Sequence, residues 1–114
     1  MEFSGLREFE RELKTLLKKH RTLSDDLEVL KRLSGVHPRG FPPVIVRISG
    51  LGIETEIYKV KHFRCKALGK GARSGIRVVY AYFPDEERVQ FAEMYYKDKD
   101  DRDCDRKRIL EYYS

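Results

Sequence analysis

From Ile57 to Pro84 the chain runs for 28 residues without an Asp or Glu, yet carries seven cations: Lys59, Lys61, Arg64, Lys66, Lys70, Arg73 and Arg77. Between the charges stand Ile57, Tyr58, Val60, Phe63 and Cys65, then Ile76, Val78, Val79, Tyr80 and Tyr82. Such β-branched and aromatic residues at alternating positions read as strand, not as a solvated tail. Ile53 to Ala67 is expected to be a long strand, Gly69 to Gly75 a glycine-rich turn, and Ile76 to Phe83 the returning strand of a β-hairpin. The net charge is +5, so the rest of the chain sums to −2 and the basicity is local. Cations fixed together on a sheet attract a polyanion.

The flanking segments supply the other layers. Leu6, Phe9, Leu13, Leu16 and Leu17 recur at helical spacing, so residues 4 to 20 are expected to form an amphipathic helix capped by Ser4. Thr22 and Asp25 have capping-box-like spacing before a second stripe of Leu23, Leu27, Leu30 and Leu33, which Gly35 ends. The short break predicts an antiparallel helical hairpin. His37 to Pro43 forbids a helix, and Val44 to Ile48 allows one short edge strand. Pro84 to Glu87 is a turn, and Arg88 to Tyr96 a third strand of an antiparallel meander. A charged stretch from Asp98 to Arg108 leads to a terminal helix that buries Ile109, Leu110 and Tyr113. The fold class is thus α+β: a helical hairpin packed on a small antiparallel sheet, with a short C-terminal helix.

A chain of 114 residues suits one domain spanning residues 1–114, and 40% hydrophobic content suffices for one core despite 38% charged residues. Cys65 and Cys104 are isolated, without the spacing of a zinc site or a disulfide framework. No apolar run approaches a membrane span, and Met1-Glu2-Phe3-Ser4 lacks the regions of a signal peptide, so a cytoplasmic protein without membrane contact is expected.

The order of elements and two local words carry a resemblance. Ile57-Tyr58-Lys59-Val60-Lys61, then Arg73-Ser74-Gly75-Ile76-Arg77-Val78-Val79-Tyr80-Ala81-Tyr82, resemble the Y-K-[IV]-[KR] … G-x-R-[VIL]-[VI]-Y hairpin of the RelE/ParE toxin superfamily. Matching words are confined to residues 57 to 97. The link over residues 36 to 56 is longer than usual, and the turn over 68 to 75 is extended. The resemblance implies the toxin of a type II toxin-antitoxin pair, with a cognate antitoxin protein as partner. In the RelE branch the toxin is an endoribonuclease that cuts messenger RNA in the ribosomal A site without metal or other cofactor. The 2′-hydroxyl attacks the adjacent phosphate and leaves a 2′,3′-cyclic phosphate.

Arg77 matches the family's arginine on the second hairpin strand, which implies transition-state stabilisation; a guanidinium suits this by bidentate contact with phosphoryl oxygens. The paired family lysines map either to Lys59 and Lys61, by the Tyr-Lys-Val-Lys match, or to Arg64 and Lys66, counting back from the turn. Alternation puts Tyr58, Val60, His62, Arg64 and Lys66 on one strand face and Lys59, Lys61, Phe63 and Cys65 on the other, so one surface takes only one pair unless a bulge intervenes. His62 is a candidate acid or base because imidazole titrates near neutrality, although a lone histidine is more often incidental. Lys59, Lys70 and Arg73 are candidate RNA contacts, as are Lys97 and one tyrosine of the Tyr95-Tyr96 pair, of which Tyr96 is the choice. Against function stands the common case of solvated charges that merely protect a strand from edge pairing. Asp98, Asp100 and Asp101 depart from the basic character of RelE at that place, and Glu93 sits on the third strand. Two other classes therefore stay open: a ParE-like inhibitor of DNA gyrase, and a basic nucleic-acid-binding domain without catalysis.

Overall fold

The computed structural model describes residues 1–61, 63, 75–97 and 103–114. Their order is β1 (Glu2–Gly5), α1 (Arg7–Leu17), α2 (Leu23–Val36), β2 (Ile45–Arg47), β3 (Glu56–Val60), β4 (Ile76–Phe83), β5 (Arg88–Tyr96) and α3 (Arg106–Tyr113). The sheet runs β1-β5-β4-β3-β2. The meander β3-β4-β5 is antiparallel, as its alternation predicts, and β2 is an antiparallel edge strand on β3.

The sheet is mixed rather than wholly antiparallel, because β1 pairs parallel with β5. Residues 4 and 5, expected in the first helix, belong to this strand. Phe3 lies stacked on Phe91 with centroids 6.2 Å apart, and Leu6 N–H donates to the Phe91 carbonyl at 2.9 Å. A Cβ on Gly5 would stand 2.5 Å from Glu10 Oε1 and 2.8 Å from Phe9 Cδ2, so only glycine fits where the strand turns into α1. The capping box at Thr22 does not form either: its hydroxyl donates to Asp26 Oδ2 at 2.9 Å and no side-chain cap bond is made to the helix backbone.

The helices otherwise follow their stripes. Phe9, Leu23, Leu27 and Leu30 are buried, while Leu13, Leu16, Leu17 and Leu33 pack on the core partly exposed. The two consecutive helices touch each other, and α1 lies against β5. Ile53 to Thr55 stay outside β3, where the Thr55 hydroxyl donates to the Tyr113 carbonyl at 3.1 Å. In α3, Ile109 and Tyr113 are buried, but Leu110, expected to be buried, is exposed.

Register divides the sheet into two faces, since paired residues point the same way. Tyr58, Tyr80 and Phe91 share the face covered by α1: Tyr58 stacks on Tyr80 at 5.4 Å and Phe9 on Phe91 at 5.2 Å. The opposite face carries Ala81, Phe83 and Gln90, and α3 covers it there. Tyr113 packs against Phe83 at 6.0 Å and its hydroxyl donates to Gln90 Oε1 at 2.8 Å. Among the described residues no helix is long and apolar enough to cross a membrane.

Candidate nucleic-acid interface

The face under α3 continues beyond that helix to the cations. Lys59 pairs with Val79, and Val79 with Glu93; Arg77 pairs with Tyr95 one step along the same face. Lys59 and Arg77 are therefore diagonal neighbours, about 8 Å apart at the backbone, within the joint reach of an ammonium and a guanidinium toward one phosphate. Lys59 is only 5% exposed, which is unusual for lysine and rules out a merely solvated charge at this position. Arg77 is half-buried, and one of its Nη groups donates to the Ile76 carbonyl at 3.4 Å.

Lys61 follows on the same strand line, exposed, its N–H donating to the Val44 carbonyl at 2.8 Å. With Lys59, Asp103, Val46, Arg47, Ile48 and Ser49 it lines a polar cleft of about 270 Å³. Of the two alternative basic pairs, Lys59 and Lys61 thus have the strand line that leads to Arg77's face. Arg64 and Lys66 lie outside the described residues, as do His62, Lys70, Arg73, Asp98, Asp100 and Asp101.

Lys97 is exposed at the end of β5, where its N–H donates to the Gly75 carbonyl at 2.7 Å and closes the ladder next to Arg77. Tyr96 pairs with Ile76 and so belongs to the other face. It covers Gly75, whose φ of +84° suits glycine, and lines a groove with Arg11, Thr15 and Leu16 of α1. The tyrosine that shares the Arg77 face is Tyr95.

Glu93 is fully buried, and its Oε2 accepts the Asp105 N–H at 2.7 Å. The carboxylate thus anchors the start of α3 beneath the surface. It also raises the buried thiol of Cys104, which desolvation pushes up to about 11 in the first place. Asp103 is the acid at the cleft; it makes an exposed ion pair with Arg106 at 3.4 Å. Among the described residues no group of three or more His, Cys, Asp or Glu is placed to hold a metal ion. Lys59, Lys61 and Arg77 concentrate positive charge at this end of the sheet, the kind of field that attracts a polyanion.

Sequence reading did not find Ser49, Asp103 or the pair Glu12 and Arg108, which joins α1 to α3 by two hydrogen bonds of 2.9 and 3.1 Å. Only the position of Arg108 inside a mixed-charge run hinted at an internal partner.

No protein-family model matches the sequence, and no curated protein matches it. Among solved structures the chain is similar to one in the crystal structure of the archaeal RelE-RelB complex from Pyrococcus horikoshii OT3, with a TM-score of 0.58 and 11% identity. The superposition covers 86% of this chain and 96% of that one, and the fold is RelE-like.

Proposed function

We propose that this chain is the toxin of a type II toxin-antitoxin pair and acts as a ribosome-dependent, metal-free messenger RNA endonuclease. The observation that carries the proposal is the diagonal placing of Lys59 and Arg77 on one face of a RelE-like sheet, with Lys61 continuing the line. In this reading Arg77 holds the non-bridging oxygens of the scissile phosphate and gains strength as they accumulate charge, while Lys59 fixes the phosphate from the neighbouring strand. The 2′-oxygen forms a bond to phosphorus as its proton leaves to solvent water. The P–O5′ bond breaks, and the protonated ammonium of Lys61 supplies the proton that the departing 5′-oxygen takes. The products are a 2′,3′-cyclic phosphate and a 5′-hydroxyl. Lys97, Arg64, Lys66, Lys70 and Arg73 are proposed to contact RNA or the ribosome, and a cognate antitoxin to cover the cations when the toxin is held inactive.

The test adds the protein, or its Arg77→Ala variant, to a translation extract and maps message 5′ ends by primer extension, beside a ribosome-free control. New ends at A-site codons that need both ribosomes and Arg77 are expected. Intact messages at a concentration that stops growth would overturn the nuclease reading in favour of gyrase inhibition; intact messages with RNA binding alone would favour a non-catalytic domain.

A further inference from the structure

The cleft beside Lys59 and Lys61 does not end there. A second cavity, of about 340 Å³, is lined by Arg47, Ile48, Ser49, Gly50, Leu51, Gly52, Ile53 and Thr55. Arg47, Ile48 and Ser49 belong to the walls of both. The two cavities therefore share the end of β2 and the start of the loop that follows it, in the stretch where the chain is longer than its resemblance leads one to expect. The loop turns at Gly50 and Gly52, with φ of +76° and +71°, and a Cβ at either would meet nothing within 4 Å. These glycines serve backbone conformation and bring no side chain of their own to the cavity wall. The far end is fixed to α3 by the bond from the Thr55 hydroxyl to the Tyr113 carbonyl.

We infer that this loop forms a second phosphate-binding stretch for single-stranded RNA, continuous with the Lys59 and Lys61 cleft and holding nucleotides beyond the scissile phosphate. The inference rests on the nuclease reading for its ligand class. Arg47 is its cation: by register it belongs to the Tyr58 face, but β2 is the sheet edge, so this exposed side chain stands at the rim of both cavities. Among the described residues the lining of the two cavities holds one acid, Asp103, which is paired with Arg106 at 3.4 Å. A strand of RNA tracked by spaced cations gains affinity with each phosphate engaged, and that gain is screened by salt.

The test measures binding of 2′-O-methyl oligoribonucleotides, which lack the attacking hydroxyl, to the full chain by fluorescence anisotropy. About four and about ten nucleotides bracket the span of one and of both cavities. The wild type is expected to bind the longer RNA at least about tenfold more tightly. Arg47→Gln should lose most of that increment and lower the logarithmic salt slope for the longer RNA by about 0.7, the share of one phosphate on a single strand. An unchanged increment and slope in Arg47→Gln, with RNA still bound, would overturn the loop assignment while leaving the nuclease reading intact. No binding of either RNA in the wild type would overturn the loop assignment; combined with intact messages in the translation extract, it would sink the nuclease reading as well. Circular dichroism of Arg47→Gln checks the fold, and Ser49→Arg, which adds a cation to the shared wall, should increase the increment.

Discussion

Replacing Arg108 with alanine should open the free edge of the sheet. Strand β1 pairs with β5 only from Arg88 to Phe91, so further along β5 the outward backbone groups have no strand beside them. The Ala92 carbonyl accepts from Arg108 Nη1 at 2.9 Å and the Met94 N–H donates to Glu12 Oε1 at 3.1 Å, while Arg108 and Glu12 close on each other. The pair thus substitutes for the missing strand and ties α1 to α3. Side-chain exposures of 15% and 27% place it between surface pairs, worth about 0–1 kcal/mol, and buried ones, whose disruption costs about 3–5 kcal/mol. We expect Arg108→Ala to cost about 2–3 kcal/mol and to lower Tm by roughly 10–15 °C. Glu12→Gln keeps an acceptor for Met94 and should cost about 1 kcal/mol. Urea denaturation of both single variants and the double should give a coupling of at least about 1 kcal/mol. A loss below about 0.5 kcal/mol in Arg108→Ala, or strict additivity, would refute the edge-capping argument.

Two further perturbations probe other joints. Glu56 accepts two hydrogen bonds from Arg39 and one from the Tyr58 hydroxyl, and the Arg39 bonds lead in holding its carboxyl below the ordinary 4.5. A depressed carboxylate contributes stability that is present above its unfolded value and is lost as pH falls through the folded one, so Glu56→Gln should flatten the fall in stability as pH drops below the ordinary 4.5; melts with equal pH dependence would contradict this. The Cys104 thiol, pushed up to about 11 by burial and then by Glu93, should react slowly with a disulfide reagent at about pH 8 in a Cys65→Ser background, and quickly only after unfolding. Labelling of the folded protein at the rate of a free thiol would show that the Cys104 side chain is not buried.

Where pattern and local stereochemistry agree, the sequence is a good guide. The expected strands from Ile76 to Phe83 and Arg88 to Tyr96 have those bounds in the structure, because β-branched and aromatic residues recur through both runs and Pro84 stops the first of them, although the ladder between them carries a register shift at Val79/Tyr80. Strand β1 was not legible, since four residues at the start of the chain find their partner only in β5. Its one local sign was Gly5 between Phe3 and Leu6. Lys59 illustrates the limit at the site: a lysine between Tyr58 and Val60 reads as a solvent-facing residue, and its burial depends on how distant segments cover that face. Glu93 reads as an obstacle to RNA, whereas its carboxylate is consumed by the Asp105 N–H. The place of Arg77 on the second hairpin strand was legible because its word is short-range; the cavity along residues 47 to 55 was not, because glycine-rich links carry no periodicity.

The central claim is that Arg77 acts on the phosphate that is cut, with Lys59 beside it. Single-turnover cleavage of a defined message on stalled ribosomes, compared among wild type, Arg77→Ala, Lys59→Met and the double variant, tests this most directly. Loss of one preorganised donor to a charged transition state predicts a fall of about 100- to 1000-fold for Arg77→Ala, with the double variant slowed by less than the product of the single effects. Cleavage by Arg77→Ala at the wild-type rate would contradict the account.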